Sequence, residues 1–190
     1  ETYQKILDEA IQELKETEFK DLFASPDTDK HKEWTPGNAD CHLETDLELL
    51  LPDTYVSSIP ERMKLYKELD SIQTPEQLNK FEVNLTDRFG ALPPQAQELM
   101  NVVRLRWLAI SLGMEKLVLK NEIMIAYFIS NQLSPFYRSQ HFVHILGYIQ
   151  KNPKRFKLKE GKDKLSLVAN DVKNIQEALS LLQQIGNEHI

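Results

Sequence analysis

One stretch decides the fold: Leu117-Val118-Leu119-Lys120-Asn121-Glu122-Ile123-Met124-Ile125-Ala126-Tyr127-Phe128-Ile129. Two apolar runs flank the polar pair Asn121-Glu122, and this pattern predicts a β-hairpin. A helical pattern follows from about Pro135 to Gln150, with Ser134 as its expected N-cap. The stretch therefore predicts one hairpin-plus-helix unit.

The same unit recurs towards the C-terminus. Residues 155–158 and 165–169 predict a second hairpin around a turn at 160–163, and a helical pattern then runs from Asp171, its expected N-cap, to Ile185. A strand is also predicted over residues 42–49, where apolar and polar residues alternate. The repeat predicts an α+β fold in which helices pack on a small antiparallel sheet.

Three helices are predicted between residues 59 and 112, ahead of the first hairpin. Thr74 is the expected N-cap of the second helix, and Gly90 is expected to end it in a left-handed conformation. The third helix opens at Pro93-Pro94 and stops at Gly113. The chain therefore places an N-terminal helical part before the two hairpin-plus-helix units.

The start of the chain differs in charge from the rest. Residues 1–48 hold 14 acidic and five basic residues, whereas residues 49–190 hold 15 acidic and 18 basic ones. Residues 1–20 have the spacing of an amphipathic helix, and residues 21–41 have turn and linker chemistry. We expect a helix over 1–20, an acidic flexible linker over 21–41 and a domain over 42–190.

The sequence contains no recognisable catalytic motif. Its six glycines, at positions 37, 90, 113, 147, 161 and 186, are too dispersed for a Walker loop or a dinucleotide-binding fingerprint. A Gly-x-Ser-x-Gly elbow is also missing. We therefore expect no catalytic residue, no bound cofactor and no ATP hydrolysis in this chain.

Metal-ligating residue types occur, but their spacing is poor. His141 and His144 share a predicted helical face, yet no carboxylate or thiol lies close enough in sequence to complete a ligand set. Asp40, Cys41 and His42 are interpreted as exposed linker residues rather than as ligands or a nucleophile and its base. We therefore predict no metal site.

The single cysteine fits a reducing compartment. No apolar run approaches the roughly 20 residues that span a bilayer.

A basic run in the second hairpin contains Lys154, Arg155, Lys157 and Lys159, with Phe156 among them. One interpretation is an auxiliary nucleic-acid-binding surface, because clustered cations neutralise phosphates. The favoured interpretation is a solvated hairpin whose lysines protect a sheet edge, since one aromatic residue is too few to specify base stacking.

A partner surface is indicated elsewhere. Asn84, Asp87 and Arg88 stand three and four residues apart on a predicted helix, so they share a flank. Arg88 suits a helix C-terminus, whereas the helix dipole makes Asp87 mildly unfavourable there. Some other interaction is therefore expected to hold Asp87.

Several short segments resemble, in order and spacing, a known family. They are Leu51-Pro52-Asp53-Thr54-Tyr55-Val56, Arg62, Tyr66-Lys67, Asp87-Arg88-Phe89-Gly90-Ala91-Leu92-Pro93, Leu105-Arg106 and Leu112-Gly113. Over about residues 43–185 the chain resembles the C-terminal domain of the bacterial transcription-repair coupling factor, Mfd. Residues 1–20 resemble the helix that ends the translocation module of that family.

The resemblance implies a parent protein with a known activity. The family is an ATP-driven translocase on double-stranded DNA, a helicase-like hydrolase that displaces stalled RNA polymerase. It recruits the excision-repair subunit UvrA in transcription-coupled nucleotide excision repair. Its motor binds ATP and Mg through upstream motifs that this chain lacks. The chain is then expected to be a non-enzymatic piece of a cytoplasmic bacterial protein.

The resemblance also implies an autoinhibitory role. The C-terminal domain of the family docks on the N-terminal UvrB-like module of the same protein and masks the surface that binds UvrA. Acidic residues on its Asp-Arg-Phe-Gly helix face arginines of that module. Asp87 matches one acidic position, Asn84 replaces the second, and Arg88 completes the expected docking flank.

Overall fold

The structure is a computed structural model that describes residues 34–37, 39–162 and 164–187. The helix predicted over residues 1–20 lies outside the described residues, as does the predicted linker up to residue 33.

Helices and strands follow one another in the predicted α+β order. The helices are α1 (Ile59–Asp70), α2 (Pro75–Phe89), α3 (Pro94–Ser111), α4 (Gln140–Lys151) and α5 (Ile175–Asn187). The strands are β1 (His42–Thr45), β2 (Met114–Lys120), β3 (Ile123–Phe128), β4 (Phe156–Glu160) and β5 (Leu165–Ala169), and a short 3-10 helix covers Pro135–Arg138.

The three helices ahead of the first hairpin begin and end near the predicted residues. The side-chain oxygen of Thr74 accepts a hydrogen bond from the Gln77 amide at 3.2 Å, which confirms Thr74 as the N-cap of α2. Gly90 follows α2 with a φ of 91°, and its amide donates to the Thr86 carbonyl at 3.0 Å. Pro94 is the first residue of α3, where its missing N–H breaks no helical bond.

Both predicted hairpins are confirmed, and they lie in one sheet with the strand order β1-β2-β3-β5-β4. Asn121 and Glu122 join β2 to β3 with φ values of 53° and 61°, as a two-residue type I′ turn requires. Strand β4 pairs antiparallel with β5, which in turn pairs antiparallel with β3.

The four strands of the two hairpins form the predicted antiparallel sheet, and β1 adds a parallel strand at its edge. It pairs in parallel with β2, so the sheet is mixed. The alternating pattern determines which residues face the core but does not reveal the direction of the partner strand. Three helices separate the two strands in sequence, and such a crossover permits parallel pairing. The strand also ends at Thr45, whose hydroxyl oxygen accepts from the Leu47 amide at 3.1 Å, rather than at Leu49.

The helix predicted from Pro135 is divided. A 3-10 helix covers its first four residues, and Ser139 separates this turn from α4. The hydroxyl oxygen of Ser139 accepts from the Phe142 amide at 3.4 Å, so a second serine N-cap starts the α-helix.

The last helix begins at Ile175 instead of Asp171. Asn174 is its N-cap, because its side-chain oxygen accepts from the Glu177 amide at 2.8 Å. Asp171 has a φ of 58°, which is not helical, and its carbonyl accepts from Arg155 at 3.2 Å.

Two hydrophobic clusters form the interior of the described residues. One lies between the inner face of the sheet and helices α3, α4 and α5, and it includes Leu117 and Leu167. The other lies among α1, α2 and the start of α3, and it includes Phe81. Helix α3 belongs to both, with Met100 in the second cluster and Leu105 in the first. The helical part and the sheet are therefore packed through one shared helix.

The end of the predicted linker packs on this body. The Trp34 ring contacts the Phe136 ring edge-on, with centroids 4.8 Å apart. Arg106 donates to the Cys41 carbonyl at 3.0 Å and to the Asp40 carboxylate at 2.9 Å. Cys41 is fully buried, so the interpretation of it as an exposed linker residue was wrong. Burial raises the pKa of the Cys41 thiol to about 12, which leaves no thiolate nucleophile near neutral pH.

A glycine substitution tests the packing after α3. Gly113 has a φ of 73°, and a Cβ atom placed there would lie 2.4 Å from the buried ring of Phe136. We expect Gly113→Ala to lower the free energy of unfolding by at least about 2 kcal/mol, because both the backbone and the ring must shift. Chemical denaturation followed by circular dichroism measures this change.

Gly147→Ala is the matched control, because Gly147 lies within α4 and a Cβ there meets no atom within 4 Å. This control should raise the free energy of unfolding by about 0.5–1 kcal/mol. Equal unfolding midpoints for Gly113→Ala and the unmodified chain would contradict the packing described.

Candidate partner-docking site

The apolar spacing of α2 determines which of its flanks faces solvent. Leu78, Phe81 and Leu85 recur at helical spacing and are buried against α1 and α3. Asn84 and Asp87 lie on the opposite side and are exposed. The prediction that these two residues share an accessible flank is therefore consistent with the helix as it packs.

The two polar residues of this flank are unpaired within the described part of the chain. Among the described residues, no hydrogen bond or ion pair involves the side chain of Asn84 or Asp87. Val83 lies beside them with 57% of its surface exposed. The flank therefore combines one carboxylate, one amide and one aliphatic side chain that are available to another molecule. We call this set, Val83, Asn84 and Asp87, the α2 flank.

Arg88 points to a different neighbour. Its guanidinium forms an ion pair with the Glu61 carboxylate on α1 and lies 4.8 Å from the centroid of the Phe89 ring. The hydrogen bond from Arg88 lowers the pKa of Glu61. Arg88 thus joins α2 to α1 and forms no ion pair with Asp87. A contact of Arg88 with a partner stays a prediction.

The loop before α1 holds the end of α2 in place. The Tyr55 hydroxyl lies 2.8 Å from the Gly90 carbonyl oxygen and 3.2 Å from that of Leu85. The Tyr55 ring also packs on Phe89, with centroids 5.7 Å apart. The Gly90 carbonyl lies just beyond the helix and gains a donor, and the Leu85 carbonyl gains a second one, so the last turn of α2 has a defined position.

The same loop is fixed to α1 by two polar contacts. Arg62 donates to the Val56 carbonyl at 2.7 Å, and the Tyr66 hydroxyl accepts from the Leu51 amide at 2.8 Å. Tyr55, Arg62 and Tyr66 all belong to the segments that carry the family resemblance. Their role in this structure is to support the α2 flank, whereas Asp87 in the same set of segments is exposed.

The structure separates the four basic residues predicted as a nucleic-acid contact. Lys157 and Lys159 lie exposed on β4, at the edge of the sheet. Lys154 is exposed in the turn before that strand. Arg155 is half-buried and donates to the Asp171 carbonyl. These positions agree with lysines that protect a sheet edge, and the nucleic-acid contact stays a prediction.

A cleft of about 690 Å³ between α1 and α3 has a lining of mixed polarity, and its apolar part includes Leu69, Val103 and Trp107. Its charged groups are Asp70 and the Arg106–Asp40 pair described above.

In the described part of the chain, no three histidine, cysteine or acidic residues are grouped to hold a metal ion. None of the described helices is long and apolar enough to cross a membrane.

Comparison with known proteins identifies the family. The profile of the TRCF domain family matches residues 45–139 of this chain. This chain belongs to the TRCF domain family. The match includes α1, α2 and α3, and therefore both the α2 flank and the loop that supports it.

Curated relatives agree with this assignment. The transcription-repair-coupling factor of Escherichia coli (strain K12) is 33% identical over 131 residues, which is 66% of this chain and 11% of the relative. The corresponding factor of Buchnera aphidicola subsp. Acyrthosiphon pisum is 28% identical over 153 residues, or 78% of this chain and 18% of the relative. The chain thus spans less than a fifth of either protein.

A solved structure shares the fold of this TRCF domain. It is the crystal structure of the C-terminal domain of a transcription-repair coupling factor, with a TM-score of 0.59 and 18% identity. The match covers 80% of this chain and 98% of the solved one. The α+β fold and the resemblance predicted from the sequence are both confirmed.

Sequence reasoning missed two features of the site. The first is Glu61, which forms the ion pair with Arg88 in place of Asp87. Its position opposite α2 depends on tertiary packing. The second is Val83, which interrupts the polar flank with an exposed aliphatic group. The helical spacing of Val83 and Asp87, four residues apart, was a signal that would have found it.

Removing one hydroxyl tests the support of the α2 flank. Tyr55→Phe should lower the free energy of unfolding by about 0.5–1.5 kcal/mol, because the carbonyl oxygens of Gly90 and Leu85 lose a donor. Amide hydrogen exchange should accelerate in the last turn of α2. Tyr127→Phe is the matched control, since the Tyr127 hydroxyl has no hydrogen bond to any described residue. Identical exchange rates in the two variants would show that the Tyr55 hydroxyl does not hold this helix end.

Proposed function

We propose that this domain is the autoinhibitory docking module of a transcription-repair coupling factor. Its α2 flank binds the UvrB-like N-terminal module of the same protein and masks the surface that recruits UvrA. The observation that carries the proposal is the exposed carboxylate of Asp87, which has no partner in the described part of the chain. Its location near the end of α2, where the helix dipole disfavours an acid, favours an external cation as its partner.

The free energy of this contact suits an autoinhibitory interaction that must be reversible. A hydrogen bond to a charged group contributes about 1.5–3 kcal/mol when well formed and less at a rim. With one acid at the α2 flank and an amide at the second position, the closed arrangement is stabilised only modestly. Release is then a population shift between closed and open arrangements of the parent protein.

The wider role of the parent follows from the same proposal. The parent moves along double-stranded DNA, displaces stalled RNA polymerase and delivers UvrA in the bacterial cytoplasm. ATP and Mg serve its motor, whose phosphate-binding motifs are missing from this sequence. The domain itself contributes regulation through Asn84 and Asp87 rather than chemistry.

Charge reversal at Asp87 tests the docking contact. Asp87→Arg should weaken binding to the separately expressed UvrB-like module about 10- to 100-fold, because it replaces a charged hydrogen bond with repulsion. Isothermal titration or fluorescence anisotropy measures the affinity. Asp70→Arg is the matched control: it also reverses an exposed acid at the end of a helix, on α1 instead of α2. Equal affinities for the two variants would remove Asp87 from the site.

A gain of charge at Asn84 tests the second position. Asn84→Asp should tighten the same complex about two- to fivefold, since it restores an acid opposite a basic partner. Raising the salt concentration should remove the gain. Isothermal titration at two salt concentrations measures both effects.

Asn79→Asp is the matched control for this variant. It makes the same chemical change at an exposed position of α2. Asn79 lies more than one helical turn before Asn84 and about 140° away from it around the helix axis. The control should therefore leave the affinity nearly unchanged. Weaker binding of Asn84→Asp than of the unmodified chain would contradict an arginine-bearing partner surface.

A further inference from the structure

The sheet has an outer face on which no described helix packs. Val118, Ile125 and Val168 stand side by side on this face, because the register pairs Val118 with Ile125 and Ile125 with Val168. All three are half-buried, yet none belongs to either hydrophobic cluster. An aliphatic row thus crosses three adjacent strands outside the core.

An apolar stripe also runs along the central strand β3. Ile123, Ile125 and Tyr127 alternate with buried residues and point to the outer face, and Ile123 is 38% exposed. Antiparallel sheets with one solvated face usually carry polar residues on it. The centre of this outer face is apolar instead, which is typical of a binding surface.

Lysines flank the stripe on both sides. Lys116 and Lys120 lie on β2, two residues before and after Val118. On the other side, Lys157 and Lys159 project from β4, opposite Val168 and Ser166. The alternation of each strand places all four on the outer face. We call the aliphatic row, the apolar stripe and these four lysines together the outer sheet face.

The lysines on the two sides of the apolar stripe differ in their ion pairs. Glu44 on β1 lies 3.2 Å from the Lys116 ammonium and 3.7 Å from that of Lys120. Lys157 and Lys159 form no ion pair with any described residue. The outer sheet face therefore keeps an excess of positive charge, concentrated along β4.

We propose that the outer sheet face binds an acidic amphipathic helix of a partner protein. The apolar row spans three strands, about 10 Å across at the usual strand spacing, which matches the diameter of an α-helix. A helix with an apolar stripe and carboxylates on both sides of it complements an apolar stripe with lysines on both sides. This is the helix-on-surface mode of recognition with matched charge.

A nucleic acid fits the same face less well. Single strands bind to sheets mainly by stacking bases on aromatic side chains. Tyr127 is the one aromatic residue among the described outer positions of the strands, and the ammonium groups of Lys116 and Lys164 already lie 5.9 and 5.6 Å from its ring centroid. The remaining centre is β-branched and aliphatic, so it favours leucine-type side chains over bases.

This inference is independent of the docking proposed for the α2 flank. The outer sheet face lies on β2, β3, β4 and β5, whereas the α2 flank lies on a helix that packs in the other hydrophobic cluster. A variant of one surface therefore leaves the other intact.

A defined peptide tests the inference on the whole 190-residue chain. The probe is a fluorescein-labelled, alanine-based peptide of about five helical turns, with a leucine stripe flanked by glutamates. A peptide of the same composition in scrambled order has equal charge but no apolar stripe. We expect the ordered peptide to bind in fluorescence anisotropy and to shift the backbone amide resonances of β3 and β5. The scrambled peptide should bind far more weakly.

Two variants locate the contact. Ile125→Thr keeps a β-branched residue in the strand but removes the apolar centre, and Lys157→Glu/Lys159→Glu reverses one flank. Each should weaken binding of the ordered peptide about tenfold at low salt. Lys64→Glu/Lys67→Glu is the matched control, because both lysines are exposed on α1. This control should leave the affinity unchanged.

Several results would overturn the proposal. They are equal binding of the two peptides, unchanged affinity in Ile125→Thr, and resonance shifts confined to another surface. Tighter binding of single-stranded oligothymidylate than of the ordered peptide, lost in the same two variants, would assign the face to nucleic acid instead.

Discussion

The described body depends on the burial of one helix, α3, in two hydrophobic clusters. Met100 near its start packs with α1 and α2, and Leu105 and Ala109 further along pack with the sheet. Protein interiors are densely packed, so a helix anchored at both ends cannot shift in one cluster without disturbing the other. The α2 flank and the outer sheet face therefore hold fixed positions on a common frame.

Polar contacts refine this frame where helices end. Tyr55, Arg62 and Tyr66 hold the loop before α1 against α1 and the last turn of α2, and Arg106 holds the backbone before β1. Most of these side chains bond to backbone groups, which suits a support. Asp87, by contrast, has no internal partner among the described residues. The segments that resemble the coupling-factor family thus combine a supporting framework with exposed charged residues, of which Asp87 lies on the α2 flank. A preorganised flank would lose little conformational entropy in the proposed docking.

The sequence predicts local structure well wherever one residue determines one conformation. Thr74 and Gly90 mark the ends of α2 because capping and left-handed geometry are local properties. The Asn121-Glu122 turn is predictable for the same reason. Non-local arrangements are not predictable in this way. The direction of β1 beside β2, and the burial of Cys41 next to Arg106, depend on elements far apart in the chain. The predicted starts of α4 and α5 were several residues too early. The N-caps of these helices are Ser139 and Asn174 rather than the expected Ser134 and Asp171.

The candidate site was predictable to a similar degree. Helical spacing correctly placed Asn84 and Asp87 on one exposed flank, but it did not show that Glu61 would take Arg88. Nor did linear spacing bring Lys116 and Lys120 to the same sheet face as Lys157 and Lys159, because that arrangement follows from the strand order. The proposed role requires a rigid docking surface. The packing around α3 provides this rigidity.

Competition is the most direct measurement of the proposed masking. Labelled UvrA is first bound to the separately expressed UvrB-like module, and this domain is then added in increasing amounts. If the domain covers the UvrA-binding surface, UvrA dissociates as the domain saturates the module, and the Asp87→Arg chain displaces it only at much higher concentration. A ternary complex in which UvrA and the domain occupy the module together would contradict the autoinhibitory role.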